Sequence, residues 1–172
     1  GTGLMSRDNL GIPRTEMPQI PNAQKQKFLD LMEKRGVSVS REEVKASELK
    51  PIQADISGTT SGQIMMRIVT ANEPKDKQSF DGGAIVISKD NYVIDGHHRW
   101  AANVALEMGG DGSRRMRVIR VGLPHDKLIE VTKKWNESEG IQGLELGQNN
   151  PKDPDMSKAA LLKMIDLAVA GL

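Results

Sequence analysis

Cysteine is absent from the 172 residues, which excludes disulfides, thiol nucleophiles and cysteine-ligated zinc. That absence fits a reducing compartment, and a cytoplasmic location is the expectation, or the virion or host cytoplasm if the chain is phage-derived. There are three histidines, His97, His98 and His125, so a zinc site built on imidazole alone has no spare ligand. Aromatic residues make up only 3% of the chain, so the core must be aliphatic, with nine methionines to fill irregular gaps. The same scarcity leaves no platform on which nucleic-acid bases could stack. No run of 18 apolar residues occurs, so nothing reads as a membrane span. The net charge of +1 gives no global pull toward nucleic acid or an anionic surface, and any such affinity has to be local. The opening Gly1–Met5 has neither a basic stretch nor a long apolar one, and does not read as a secretory signal.

The residues that are present alternate short apolar strands with amphipathic helices. Residues 1–21, with prolines at 13, 18 and 21, read as an extended arm. A domain over 22–146 follows, then a turn-rich linker over 147–155 and an apolar helix over 156–172. Within the domain, Asn22 caps a helix over 23–35 whose apolar side chains Phe28, Leu29, Leu31 and Met32 share a face, and Gly36 stops it. Residues 37–46 read as strand interrupted by the charged turn Ser40-Arg41-Glu42-Glu43, and 49–53 as an extended segment ahead of and through Pro51. Gly58-Thr59-Thr60-Ser61-Gly62 precedes a helix over 63–72. Strands over 84–88 and 92–94 form a hairpin about Lys89-Asp90-Asn91. A helix over 98–108, a strand over 116–121 and a helix over 126–137 complete the domain. The last helix, over 157–170, is apolar round most of its circumference, so it either docks on this domain or binds a protein partner. The fold class is α+β: a small mixed sheet with flanking helices.

One segment carries the chemistry. Tyr92-Val93-Ile94 runs into Asp95-Gly96-His97-His98-Arg99 and then into Trp100-Ala101-Ala102, a strand, a glycine turn and a helix start. Backbone N–H groups and the positive end of a helix dipole converge at such a corner, and a glycine there permits close approach of an oxyanion. Arg99 can grip a phosphate with two hydrogen bonds at any working pH; the alternative is a surface pair with Asp95 or Glu107. His97 and His98 can each donate to phosphate oxygens or exchange protons near neutrality, but adjacent side chains diverge at a helix start. One of them is therefore a ligand contact and the other structural, with His98 favoured as the contact. Asp95 either caps the helix or serves as a catalytic carboxylate or Mg²⁺ ligand.

Two signatures, Leu49-Lys50-Pro51-Ile52-Gln53 and Gly83-Ala84-Ile85-Val86-Ile87 through Ala102, resemble the ParB/sulfiredoxin superfamily over roughly residues 37–135. That resemblance implies a ParB/sulfiredoxin-like fold that binds a nucleotide (ATP, ADP or CTP) or nucleic-acid phosphate at the turn, with Mg²⁺ as cofactor. It also implies an activity among nucleotide-gated clamps, nucleases, sulfiredoxins and free-serine kinases. The Asp-Gly-His-His-Arg spelling is most similar to the kinase branch. Where sulfiredoxins need cysteine this chain has His97, which excludes that activity. Where the kinases carry a glutamate base it has Gln53, which cannot accept a proton, so nuclease or nucleotide hydrolysis ranks above kinase. Gln53 is then a contact to base, ribose or phosphate, or a turn-stabilising amide. Asp55 is the nearest carboxylate to that box and a second candidate Mg²⁺ ligand. Arg114, Arg115, Arg117 and Arg120 form the densest basic cluster, a candidate DNA contact or a solvated strand face. A non-catalytic, nucleotide-responsive module of a larger protein is the competing reading.

Overall fold

A computed structural model describes residues 17–52, 84–110, 112–141 and 158–171. Five strands, β1 (Val39–Val44), β2 (Lys50–Pro51), β3 (Ile85–Ile87), β4 (Tyr92–Asp95) and β5 (Met116–Val121), form one sheet in the order β1-β5-β3-β4-β2. Pairing is mixed: β1 with β5 and β3 with β4 are antiparallel, whereas β3 with β5 and β4 with β2 are parallel. Among the described residues four α-helices flank it: α1 (Lys25–Lys34), α2 (His97–Met108), α3 (His125–Glu139) and α4 (Lys158–Ala170). The α+β class with a small mixed sheet is therefore observed.

Both faces of the sheet are covered, which is why Ile85, Val86 and Ile87 of β3 are all buried. On one face, Ile85, Ile87, Val93, Met116 and Val118 meet Trp100, Ala101 and Val104 of α2. On the other, Val86, Ile94, Ile119 and Val121 meet Phe28, Leu29 and Met32 of α1, Leu128, Val131 and Trp135 of α3, and Ile165 of α4. The last helix thus docks on its own domain, with Leu161, Ile165 and Ala168 buried. Arg35 pairs with its Asp166, and Glu139 bridges Lys27 of α1 to Lys158 of α4 at 2.8 and 3.5 Å. No helix among the described residues is long and apolar enough to cross a membrane.

Both α1 and α3 end alike. Gly36 and Gly140 take left-handed backbone (φ 78° and 70°), and the next residues, Val37 and Ile141, donate back to Met32 O and Asn136 O at 3.1 and 2.8 Å. These glycine stops satisfy carbonyls that the helix leaves without partners. The expected break in β1 at Ser40–Glu43 is not there. β1 is a continuous edge strand, and its charged side chains are tolerated because they project from the margin of the sheet.

Strand polarity decides where the site lies. By register, β1, β2 and β4 finish, and β3 and β5 begin, at the same end of the sheet. Val44, Ile52, Ala84, Gly96 and Arg114–Met116 therefore collect at one end. The Lys89–Asn91 turn, Gly122 and His125 collect at the other.

Candidate functional site

Gly96 is the corner between β4 and α2. Its φ is +98°, which L side chains rarely adopt, and an added Cβ would stand 2.4 Å from Ile85 Cγ2. Glycine is thus required by packing against β3 as well as by backbone geometry. The side expected to admit an oxyanion is filled by Ile85. Trp100 N donates to Gly96 O at 3.0 Å, the first turn of α2.

The capping role expected of Asp95 goes instead to Gly96, which occupies the N-cap position without a side-chain cap. A bulge explains the difference. Val93 pairs with Ile87 and Asp95 with Val86, so β4 carries one extra residue, Ile94, and the side chain that follows is redirected. The Asp95 carboxylate instead accepts from Ile20 N at 3.0 Å, which fastens the extended segment Met17–Pro21 to the domain. Asn136 of α3 holds that segment a second time: Gln19 N donates to Asn136 Oδ1 at 2.8 Å and Asn136 Nδ2 to Gln19 O at 2.6 Å. The last residues of the expected arm are therefore part of the packed domain, with Met17 and Ile20 buried.

Burial pushes the Asp95 carboxyl up to about 6, against the opposing effects of the Ile20 N–H, the Lys25 charge and the Gly96 backbone. A carboxyl that exchanges its proton near neutrality is a usable acid or base. Lys25 itself is only 5% exposed and donates from Nζ to Ala84 O at 2.7 Å, beside the start of β3. Sequence reasoning missed it, although a signal existed. Lys25, Phe28, Leu29 and Met32 follow the spacing of one helix face, so a lysine sits where an apolar residue belongs.

His97 is the structural histidine of the pair. It is 4% exposed, and its Nε2 accepts from Ile52 N at 3.0 Å. Burial, then the neighbouring His98 charge, lowers its pKa to about 3, so the ring is neutral with its proton on Nδ1. Its expected place among the phosphate-binding residues is taken by this inward bond. The bond has a further consequence: the proline-containing segment and the glycine turn, far apart in sequence, are tied directly together. His98 and Arg99 remain half-buried on the first turn of α2. Gln53, Asp55, Gly58–Gly62 and the expected helix over 63–72 lie outside the described residues.

The arginine cluster divides between the two ends. Arg120 is held at the far end by Glu42, through Nε at 2.9 Å and a terminal nitrogen at 3.1 Å, and by the carbonyls of Ser88 and Lys89 and Asn91 Oδ1. Hydrogen bonds from Arg120 and Ser40 lower the Glu42 carboxyl. Arg117 faces Glu43 at 3.5 Å. A continuous four-arginine strip for nucleic acid is therefore not assembled, since Arg120 clamps the β3–β4 turn instead. Arg114, by contrast, lies at the Gly96 end, with Nε donating to Asn103 Oδ1 at 2.9 Å.

His125 also belongs to the far end, where Asp90 accepts from both its backbone N–H (2.9 Å) and its Nδ1 (2.5 Å). Burial would raise Asp90, but hydrogen bonds from Ser88 and His125 outweigh it and hold the carboxyl low. Among the described residues no three His, Asp or Glu side chains gather as candidate metal ligands. What they do assemble is a helix N-terminus carrying Arg99 and His98, with a near-neutral carboxyl one residue ahead of the glycine corner. Comparison with protein-family models, curated proteins and solved structures gives no match.

Proposed function

We propose that this domain binds a phosphorylated ligand, a nucleotide or nucleic-acid phosphate, at the Gly96–Arg99 turn. One observation carries the reading: Arg99 and His98 stand on the first turn of a 12-residue helix, at the end of the sheet where β2 and β4 finish and β3 and β5 begin. A helix N-terminus favours anionic charge, and an adjacent guanidinium supplies a planar two-point grip. In open α/β sheets, ligands bind outside the carboxyl ends of the strands, and β2 and β4 finish at this end. The resemblance to the ParB/sulfiredoxin superfamily points the same way.

Within this reading Arg99 and His98 hold the phosphoryl oxygens and stabilise charge that develops on them. Asp95, with a carboxyl pKa near 6, is the acid or base for phosphoryl or phosphodiester transfer. Nuclease or nucleotide hydrolase chemistry ranks ahead of free-serine-type kinase chemistry, because Gln53 cannot serve as base. The competing role, a nucleotide-responsive module without turnover, draws on the use of Asp95 to anchor Ile20.

Titration calorimetry with ATP, ADP, CTP and GTP, with and without Mg²⁺, tests binding; phosphate release and plasmid nicking test turnover. Binding of at least one nucleotide that falls about tenfold or more in Arg99→Ala is expected, the loss of one charge-assisted contact. A variant that binds as well as the parent would remove the site assignment. Turnover whose rate follows an apparent pKa near 6 and vanishes in Asp95→Asn separates the enzyme from the module.

A further inference from the structure

β1 stands at the margin of the sheet, and among the described residues no strand pairs with its outer edge. Gly122 N donates to Ser38 O at 2.8 Å, one step before the Val39–Val121 pair, which sets the alternation of the ladder. Ser40, Glu42 and Val44 therefore turn their backbone groups toward β5, and Val39, Arg41 and Glu43 present theirs outward. Such a row of donors and acceptors is a template for another strand, which edge charges ordinarily repel. Arg41 and Glu43 are exposed on the same side of β1, two residues apart and of opposite sign. That spacing makes the edge complementary to itself.

We infer that β1 is an interface for a second copy of this chain, joined antiparallel about a two-fold axis at Glu42. In that register Arg41 lies opposite Glu43 of the second copy, and Glu43 opposite its Arg41, each pair exchanging both backbone hydrogen bonds. Glu43 then sits between Arg117 of its own β5, at 3.5 Å, and Arg41 of the second copy, in a row of alternating charge. The two Glu42 side chains meet at the axis, each held by its own Arg120 at 2.9 and 3.1 Å and by Ser40 Oγ at 2.7 Å. An axis at Arg41 overlaps the strands equally but sets Arg41 against Arg41. Axes at Ser40 or Glu43 shorten the overlap, so charge selects one register. A second copy carries the matching pattern in its own sequence, and is for that reason the fitting occupant rather than an unrelated strand. The two Gly96 corners fall at opposite ends of the joined sheet, so the inference is independent of the phosphate reading.

Sedimentation of the full chain from about 1 μM to about 1 mM, the span of modest affinities, tests it. A monomer–dimer equilibrium is expected. Arg41→Pro removes an outward N–H, leaves the β1–β5 bonds in place, and is expected to abolish the dimer. Arg41→Glu and Glu43→Arg each oppose like charges, and each should weaken self-association by about tenfold or more. Mixed together, these two charge-reversed chains should associate with each other more tightly than either does with itself, because both cross-strand pairs are then of opposite sign. Should Arg41→Pro fail to fold, the charge-reversed chains, altered at exposed positions, still decide the matter. A parent that stays monomeric to the top of that range overturns the inference. So does a dimer that a folded Arg41→Pro or the charge reversals leave intact, and so does a mixture with no preference for the mixed pair.

Discussion

Replacing Asp95 by asparagine keeps the shape of the side chain and an oxygen able to accept from Ile20 N, while removing the titratable charge. The folded carboxyl has a pKa near 6 against an ordinary value of 3.8, so the native state holds that proton more tightly than the unfolded chain. Its contribution to stability is therefore greatest below the unfolded value and is lost as pH rises through the window from 3.8 to about 6. Two units correspond to at most about 3 kcal/mol, and partial exposure reduces this, so roughly 1–3 kcal/mol is expected. In a domain of this size that is a difference of roughly 3–10 °C in melting temperature. Asp90, Glu42, Glu139 and His97 all have lowered pKa values and give slopes of the opposite sign. They are present in both proteins and cancel in the difference. The assay is urea unfolding of both proteins from pH 4 to 8. The variant should gain on the parent between pH 4 and 6.5 and run parallel above. Curves that stay parallel throughout would refute the claim that burial controls this carboxyl.

Gly96→Ala combines a left-handed backbone with a Cβ 2.4 Å from Ile85, and is expected to cost about 2–5 kcal/mol in denaturant unfolding, partly recovered when Ile85 is also cut to alanine. His97→Leu leaves the Ile52 N–H without its acceptor, a loss of about 1–3 kcal/mol at neutral pH. Because His97 in the folded chain stays neutral down to about pH 3, the parent loses stability as pH falls below 6.5, and the variant should lack that slope. Arg120→Ala removes the clamp on the β3–β4 turn and should lower stability by about 1–3 kcal/mol, while leaving calorimetric affinity for phosphate or pyrophosphate unchanged from the far end of the sheet.

Much of the fold was legible because local signals agreed with the tertiary result. Gly36 closes α1, Asn91 takes the left-handed conformation (φ 71°) in the hairpin turn, and β5 occupies residues 116–121 as its apolar pattern implied. β1 misled for a physical reason. Ser-Arg-Glu-Glu has the composition of a turn, yet on an edge strand those charges find Arg117 and Arg120 across the ladder. Neither partner is visible from local sequence, since the pairing joins residues more than seventy positions apart. Gly140, Lys25 and Asn136 were overlooked for different reasons. The first two had local signals, a glycine after a periodic run and a lysine on an apolar stripe. Asn136 had none, because its value lies wholly in meeting the backbone of Gln19.

The candidate site was legible in its parts but not in their division of labour. Asp95, Gly96, His97, His98 and Arg99 were all identified from one strand–turn–helix pattern, and which of them turns inward depends on a single extra residue in β4. Were β4 regular, Asp95 would continue the alternation of Val93 toward the α2 face; the bulge at Ile94 delivers it instead toward Ile20 and Lys25. Two roles follow from that one irregularity. Burial raises Asp95 to where its proton exchanges near neutrality, against the charge of Lys25 and the Ile20 N–H, and Gly96 starts the helix without a side-chain cap. His97, neutral, buried and bonded to Ile52 N, fixes the same corner.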